Sequence, residues 1–195
     1  NFRVNGGSVQ NGPLSTYTTT TLTNGQSVDV IVTSAAGCTG TSSAIVMTVN
    51  ANPVAGLTSS DGDNIICAGE SVTFTGSGGT NYEFFVDGTS VQNGAGTTYV
   101  TTGLLSGQVV TVRVSNASGC STTSTGITTT VNANPVASIV SNDGDNIICA
   151  GTSVTFTGAP TAANYNFRVN GVSVQNGALS TYTTSALVNG NTVDV

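Results

Sequence analysis

The stretch Asp61-Gly-Asp-Asn-Ile-Ile-Cys-Ala-Gly-Glu-Ser-Val-Thr-Phe-Thr-Gly76 occurs twice in this chain. It returns at residues 143–158, which is 82 residues later, with Thr152 in place of Glu70. Self-similarity at a fixed period is the sequence signature of repeat architectures, in which each repeat is one folded unit. The repeat is therefore the unit from which the fold and the function have to be argued.

A second similarity sets the boundaries of the repeats. Residues 1–30 match residues 166–195 at 23 of 30 positions. The sequence Thr-Val-Asn-Ala-Asn-Pro closes the unit at 48–53 and again at 130–135. Proline forces the residue before it into an extended conformation, so this sequence predicts a short, stiff junction. The predicted units are the end of one repeat at 1–51, a complete repeat at 52–133 and the beginning of a third at 134–195.

Composition and local pattern both favour β-structure. Thr and Val suit the pleated surface of a strand, and Gly and Asn supply the positive φ angles of tight turns. In the complete repeat, alternation and turn residues predict seven or eight short strands, which is typical of a two-layer β-sandwich. The predicted strands are 54–58, 65–67, 71–75, 82–86, 90–92, 97–102, 108–115 and 126–131. We expect turns at Asp87-Gly88 and Asn93-Gly94.

Comparison of the copies predicts which side chains face inward. Phe84 corresponds to Phe2 and Phe167, whereas its neighbour Phe85 corresponds to Arg3 and Arg168. A position that accepts arginine faces water, so Phe84 is predicted to be core and Phe85 surface. The same reasoning and the period of two along strands give the remaining core positions, which are Val72, Phe74, Tyr99, Val110, Val112 and Val114.

Four cysteines recur with the repeat, at 38 and 120 and at 67 and 149. Disulfides are typical of extracellular proteins, and a bond between Cys67 and Cys120 would contribute about 4 kcal/mol in the chain-entropy model. Cys38 and Cys149 would then pair outside residues 1–195. If Cys67 and Cys120 lie at opposite ends of the sandwich, a bond across the junction of neighbouring repeats is the alternative. A third pairing is Cys38 with Cys67 and Cys120 with Cys149, and the fourth interpretation is four reduced thiols.

The charge composition excludes several classes of function. Only 6% of residues are charged, Lys, His and Trp are absent, and the net charge is −6. A nucleic-acid partner needs a basic face, and most general bases and activated nucleophiles need His or Lys. No apolar run is long enough to cross a membrane as a helix. We therefore expect a protein that is not an enzyme, does not bind nucleic acid and does not insert this segment into a membrane.

Two small motifs are candidates for sites. Asp61 and Asp63, with their copies Asp143 and Asp145, could offer carboxylate oxygens to calcium, although an ordinary turn stabilised by Asp side chains explains the same pattern. Glu70 cannot complete a shared calcium site, because its counterpart is Thr152. Residues 116–118, Asn-Ala-Ser, form a triplet of the N-glycosylation type. No other cofactor is expected.

The motifs together resemble a known group of repeats. The strings Ile-Cys-Ala-Gly-(Glu/Thr)-Ser-Val-Thr-Phe-Thr, Asn-Tyr-x-Phe-x-Val-(Asp/Asn)-Gly and Val-x-Val-(Ser/Thr)-x-Ala-x-Gly-Cys resemble the Ig-like and PKD-like repeats of very long Bacteroidota surface proteins, including gliding-motility adhesins. The resemblance covers all 195 residues. It implies tandem immunoglobulin-like sandwiches, arranged head to tail in an exported protein at the cell surface. It supplies no catalytic residues.

These observations lead to one main expectation and two alternatives about function. The main expectation is a structural spacer or fibre of an extracellular filament or adhesin, whose partners are its neighbouring repeats and other copies of the filament. One alternative is a module in which each repeat binds surface glycans or cells. The other is a set of accessory domains of a secreted hydrolase.

Overall fold

The computed structural model describes all residues from 1 to 195 and contains 21 β-strands and no helix. The chain divides into two compact units, Asn1–Val131 and Asn132–Val195. With no helix at all, no segment has the length and apolarity of a membrane-spanning helix. The structure thus confirms the all-β class predicted from composition, while the repeat boundaries near residues 51 and 133 and the head-to-tail array stay predictions.

The complete repeat is a two-layer sandwich. Its strands are β6 (Gly56–Ser59), β7 (Ile65–Cys67), β8 (Val72–Ser77), β9 (Asn81–Val86), β10 (Thr89–Gly94), β11 (Thr98–Thr101), β12 (Val109–Ser115), β13 (Ser121–Thr123), β14 (Ile127–Thr128) and β15 (Thr130–Asn132). One sheet has the order β10-β9-β12-β13, with β14 also paired to β12, and the other has the order β11-β8-β6. A separate two-stranded ladder joins β7 to β15.

The core lies between these two sheets. Phe74 from one sheet and Phe84 from the other are both fully buried, and the ring of Tyr99 lies 6.4 Å and 5.9 Å from theirs. Val72, Val110, Val112 and Val114 are also buried, and Tyr99 packs against the cluster from its edge. Each large apolar side chain removed from water contributes about 1.5–3 kcal/mol, so this layer dominates the stability of the repeat.

A glycine lets the two sheets approach closely. A Cβ atom placed on Gly76 would lie 2.9 Å from Tyr82 Cδ1 and 3.4 Å from Phe84 Cζ. Its copy Gly158 is enclosed in the same way, with Tyr165 Cδ1 at 3.0 Å and Phe167 Cζ at 3.4 Å. Any side chain at this position would push the aromatic rings away, so the glycine is required by packing between the layers.

Some details differ from the pattern-based prediction. Asn93-Gly94 is not a turn, because β10 continues through both residues, which pair with Glu83 and Tyr82. The short strand β13 has no apolar alternation and was not predicted. Tyr82 is 6% exposed, and its hydroxyl donates to the Gly79 carbonyl at 2.7 Å. The core also contains Ile66 and Leu104. In the unit Asn132–Val195, Val154 and Tyr165 are buried as well, and the comparison of copies had identified none of these four residues.

The residues before the complete repeat form a single sheet. Its strands are β1 (Phe2–Val4), β2 (Gly7–Gln10), β3 (Ser27–Thr33), β4 (Thr39–Thr41) and β5 (Ile45–Val46), in the order β2-β1-β3-β4 with β5 on β3. Phe2, predicted to be core, is only half-buried. Val32 is 62% exposed, whereas its counterpart Val114 is fully buried. The physical reason is that residues 1–51 include no second sheet to cover this face.

The unit Asn132–Val195 repeats the beginning of the sandwich. Its strands are β16 (Ser138–Ser141), β17 (Val154–Ala159), β18 (Tyr165–Val169), β19 (Val172–Gly177), β20 (Thr181–Thr184) and β21 (Val193–Asp194). They form two three-stranded sheets, β16-β17-β20 and β19-β18-β21. Phe167 is fully buried, and its ring lies 5.8 Å from that of Tyr182, which reproduces the arrangement of Phe84 and Tyr99.

The neighbouring phenylalanines of β9 provide a direct test of the inward face. Phe84→Ala removes a fully buried ring and is expected to lower the free energy of unfolding by about 3–5 kcal/mol. Phe85→Ala, the matched control, removes a ring on the other face of the same strand and is expected to cost about 1 kcal/mol or less. Urea denaturation followed by circular dichroism measures both, and equal losses would contradict this assignment of faces.

Candidate functional sites

The acidic turn of the complete repeat is organised around one backbone amide. The N–H of Ile65 donates to Asp61 Oδ1 at 3.1 Å and to Asp63 Oδ1 at 3.0 Å. Asn64, which separates Asp63 from Ile65 in the chain, has a φ of 59°, a left-handed conformation that Asn tolerates better than most residues. The Asp61 N–H donates in turn to Ser59 Oγ at 3.1 Å. Both carboxylates therefore act as acceptors that hold the turn before β7.

The second copy of the turn has the same geometry. The N–H of Ile147 donates to Asp143 Oδ1 at 3.2 Å and to Asp145 Oδ1 at 3.0 Å. Glu70 does not join its acidic turn, since its carboxylate accepts the N–H of Cys67 at 3.0 Å. No group of three or more Asp, Glu, Cys or His side chains comes together anywhere in residues 1–195. This geometry favours the structural turn over the calcium site that the sequence also allowed.

All three arginines are paired with carboxylates across a ladder. Arg3 contacts Asp29 at 2.7 Å and 2.8 Å, Arg168 contacts Asp194 at 2.6 Å, and Arg113 contacts Glu83. The hydrogen bond to Asp29 raises the pKa of the Arg3 guanidinium above its usual value.

One of these arginines also covers part of the outer face of β9. The guanidinium of Arg113 also lies 5.7 Å from the centre of the Phe85 ring, a cation–π contact that leaves Phe85 half-buried on the outer face. Each of the three arginines is thus held in its own ion pair, and their positive charges do not form a basic patch.

The cysteines do not form the predicted bond. All four are free thiols, with Cys38, Cys67 and Cys149 exposed and Cys120 half-buried. Cys67 and Cys120 lie beyond opposite ends of β12: Asn64 accepts from Thr130 near the Val109 end, whereas Cys120 bonds to Asn116 beyond the Ser115 end. Seven residues of strand span about 20 Å. Bonded Cα atoms must lie within about 7 Å, so the pairing of Cys67 with Cys120 inside one repeat does not fit this sandwich.

The loop that carries Cys120 contacts the preceding junction. Asn116 Oδ1 accepts the N–H groups of Ser118 and Cys120, both at 3.0 Å, and its Nδ2 donates to the Ala51 carbonyl at 2.9 Å. Cys120 Sγ lies 3.7 Å from the Asn50 carbonyl oxygen. The amide of Asn116 therefore holds the loop to Ala51, at the predicted junction, which argues against its use as a glycan acceptor.

A groove of about 540 Å³ opens on the unit Asn132–Val195. Its apolar wall includes Ile148, Val154, Phe156, Leu187 and Val193. The corresponding side chains of the complete repeat, Ile66, Val72, Phe74, Leu104 and Val110, are all buried, because Ile127 and Val131 pack over them. The groove is therefore the place that β14 and β15 fill in the complete repeat.

Comparisons with known proteins give only distant likenesses. No family model and no curated protein matches the chain. Fibronectin(III)-like modules of CbhA from Clostridium thermocellum share 14% identity, with 70% of this chain and 82% of that chain covered and a TM-score of 0.42. The human OSCAR ligand-binding domain shares 13% identity, with 74% and 95% covered and a TM-score of 0.33.

A third solved structure covers almost the whole of this chain. SGBP-B of the mixed-linkage glucan utilization locus of Bacteroides ovatus, in complex with a mixed-linkage heptasaccharide, shares 16% identity, with 97% of this chain and 51% of that chain covered and a TM-score of 0.23. All three TM-scores are low, so none of these likenesses carries an argument about function.

The acidic turns make a calcium requirement easy to test. Because each pair of carboxylates is already bound to a backbone N–H, millimolar calcium is expected to leave the melting temperature of the chain unchanged relative to a chelator. Asp63→Asn, which keeps the amide acceptor at Oδ1, is expected to behave in the same way. A rise in melting temperature with calcium that Asp63→Asn abolishes would contradict the structural interpretation.

Proposed function

We propose that residues 1–195 belong to the repeat region of an extracellular filament or surface adhesin and act there as a stiff, non-catalytic spacer. The observation that carries this proposal is the recurrence of one core at a fixed period. Phe84 with Tyr99 and Phe167 with Tyr182 form the same aromatic contact, and Gly76 and Gly158 are enclosed by the same atoms. A chain that copies its interior in this way builds length by adding units.

The junction between the first two repeats supports stiffness. The side chain of Asn116, in the complete repeat, donates to the carbonyl of Ala51, which ends the repeat before it. Pro53 follows two residues later and restricts the backbone there. A junction this short, held by a side chain from the next repeat, limits bending between the units it joins.

The surface supports a structural role over a catalytic one. The acidic side chains of the two Asp-Gly-Asp-Asn turns accept backbone N–H groups, and the arginines are bound in ion pairs. The surface of a sandwich with so few charges has little to keep strand edges from pairing with other chains. We therefore propose that the array lies in a filament or packed layer beside other copies, and that the Bacteroidota adhesin repeats, which it resembles, share this architecture.

Small-angle scattering on chains of two lengths tests the spacer. Because residues 166–195 match residues 1–30, the array can be lengthened from its own sequence by adding residues 31–195 after Val195. The maximum dimension of a stiff rod is expected to grow in proportion to the number of repeats. A variant with Gly-Gly in place of Asn52-Pro53 is the flexible control. A lengthened chain that scatters like this control, with freely jointed units, would contradict the proposal.

A further inference from the structure

We propose that consecutive repeats are joined by a disulfide between the cysteine at position 67 of one repeat and the cysteine at position 120 of the next. The inference rests on the proposed function, since it requires an array of these repeats. In this arrangement the two recurring cysteines of a repeat form bonds to its two neighbouring repeats, and they do not bond to each other within one sandwich.

The first half of the site is visible at the junction before the complete repeat. Cys120 Sγ is 3.7 Å from the carbonyl oxygen of Asn50, the third-last residue before Pro53. The loop is fixed in this position by Asn116, which bonds at once to Ala51 and to the Cys120 N–H. The sulfur is therefore held against the last residues of the preceding repeat.

The second half lies at the other end of the same repeat. Thr130 donates its N–H to Asn64 O at 2.8 Å, and the residues that follow each of them form the paired strands β15 and β7. Because both strands lead away from this hydrogen bond in the N-to-C direction of the chain, they run parallel. They end at Asn132 and Cys67. Asn132 occupies the place in its repeat that Asn50 occupies in the repeat before it.

Both cysteine positions are thus adjacent to the same asparagine of the repeat. Paired strands lie about 4.8 Å apart, which places Cys67 beside the end of β15. In the following repeat, the cysteine at position 120 is held by its loop at van der Waals distance from the carbonyl of that asparagine. These separations fit within the Cα–Cα distance of about 7 Å that a disulfide spans. A bond within one repeat would have to cross the length of β12.

The free state of the four thiols agrees with this pairing. Cys120 contacts the junction at residues 50–53, and the counterpart of Cys67 in the repeat before it falls outside residues 1–195. Cys67 is exposed and Cys120 half-buried, so both are open to a partner. Nothing within the complete repeat uses either sulfur as a packing element of the core cluster.

The bond forms by thiol–disulfide exchange with a small-molecule disulfide such as oxidised glutathione. One cysteine thiolate attacks it and forms a mixed disulfide, releasing one molecule of reduced glutathione. The second cysteine displaces the other glutathione, so two protein thiols are oxidised and one disulfide reagent is reduced to two thiols. Such an exchange suits the oxidising setting outside the cell.

The lengthened chain, residues 1–195 followed by residues 31–195, contains the missing partners. After oxidation with a glutathione redox mixture, we expect two disulfides: Cys67 with the added Cys38, and Cys149 with the added Cys120. Peptide mass spectrometry identifies the pairs. Cys67→Ser is expected to remove one bond, whereas the matched control Cys120→Ser in the first segment is expected to remove none.

Thiol labelling of the folded chains gives a second readout. Cys67 is expected to react with a maleimide in the 195-residue chain and to be protected in the oxidised lengthened chain, with the melting temperature of each sample measured to show that it is folded. Bonds within one repeat, bonds between Cys38 and Cys67 of the first segment, or eight reactive thiols in the folded, oxidised array would each overturn the proposal. A rod-like array with free thiols would reject the disulfide and leave the spacer function intact, whereas a flexible array with the predicted bonds would reject only the stiffness.

Discussion

Contact between two sheets across a layer of Phe, Tyr and Val is the interaction on which the rest of the structure depends. Phe74 and Phe84 come from opposite sheets and meet at Tyr99. The approach of the two sheets is set by Gly76, where a Cβ atom would lie 2.9 Å from Tyr82 and 3.4 Å from Phe84. Since the sandwich has very few charges and no helix, almost all of its stability has to come from this layer.

The dependence of side-chain burial on a second sheet is visible within the same chain. Val32 and Val114 occupy the same position of the repeat, yet one is 62% exposed and the other fully buried. The strands of residues 1–51 form their ladder without a partner sheet, so backbone pairing survives while side-chain burial is lost. The groove beside Phe156 likewise shows that burial depends on neighbouring strands, because its apolar wall is covered in the complete repeat by β14 and β15.

Sandwich topology also separates the polar and thiol-bearing groups of the complete repeat. The cysteines at positions 67 and 120 lie near opposite ends of β12, and the loop of Cys120 contacts the end of the preceding repeat. The carboxylates of Asp61 and Asp63 accept the N–H of Ile65, the first residue of β7. Within the complete repeat, the two cysteines therefore lie at its ends, while the strands between them carry mainly Thr and Ser on their exposed faces.

The sequence by itself determined the β class, the repeat period and most of the inward face. Those features depend on local propensity, on alternation with a period of two and on comparison of copies, all of which can be obtained from the amino-acid sequence. It identified Phe84 and the valines of β12 but not Tyr82, although Tyr82 is two residues from Phe84 and so on the same face. It did not identify β13, a polar strand that exists only because β12 offers it an edge.

Only the tertiary structure decided the positions of the cysteines. Cys67 and Cys120 are 53 residues apart in the chain, and that spacing says nothing about which end of a sandwich each one occupies. Their places follow from the direction of each strand and from the length of β12 between them. The burial of Phe2 is also decided by the tertiary structure. Phe2 occupies the position of the core residue Phe84, but its burial depends on a second sheet. Local pattern specifies which side chains seek the interior, and long-range pairing of strands specifies where the interior is.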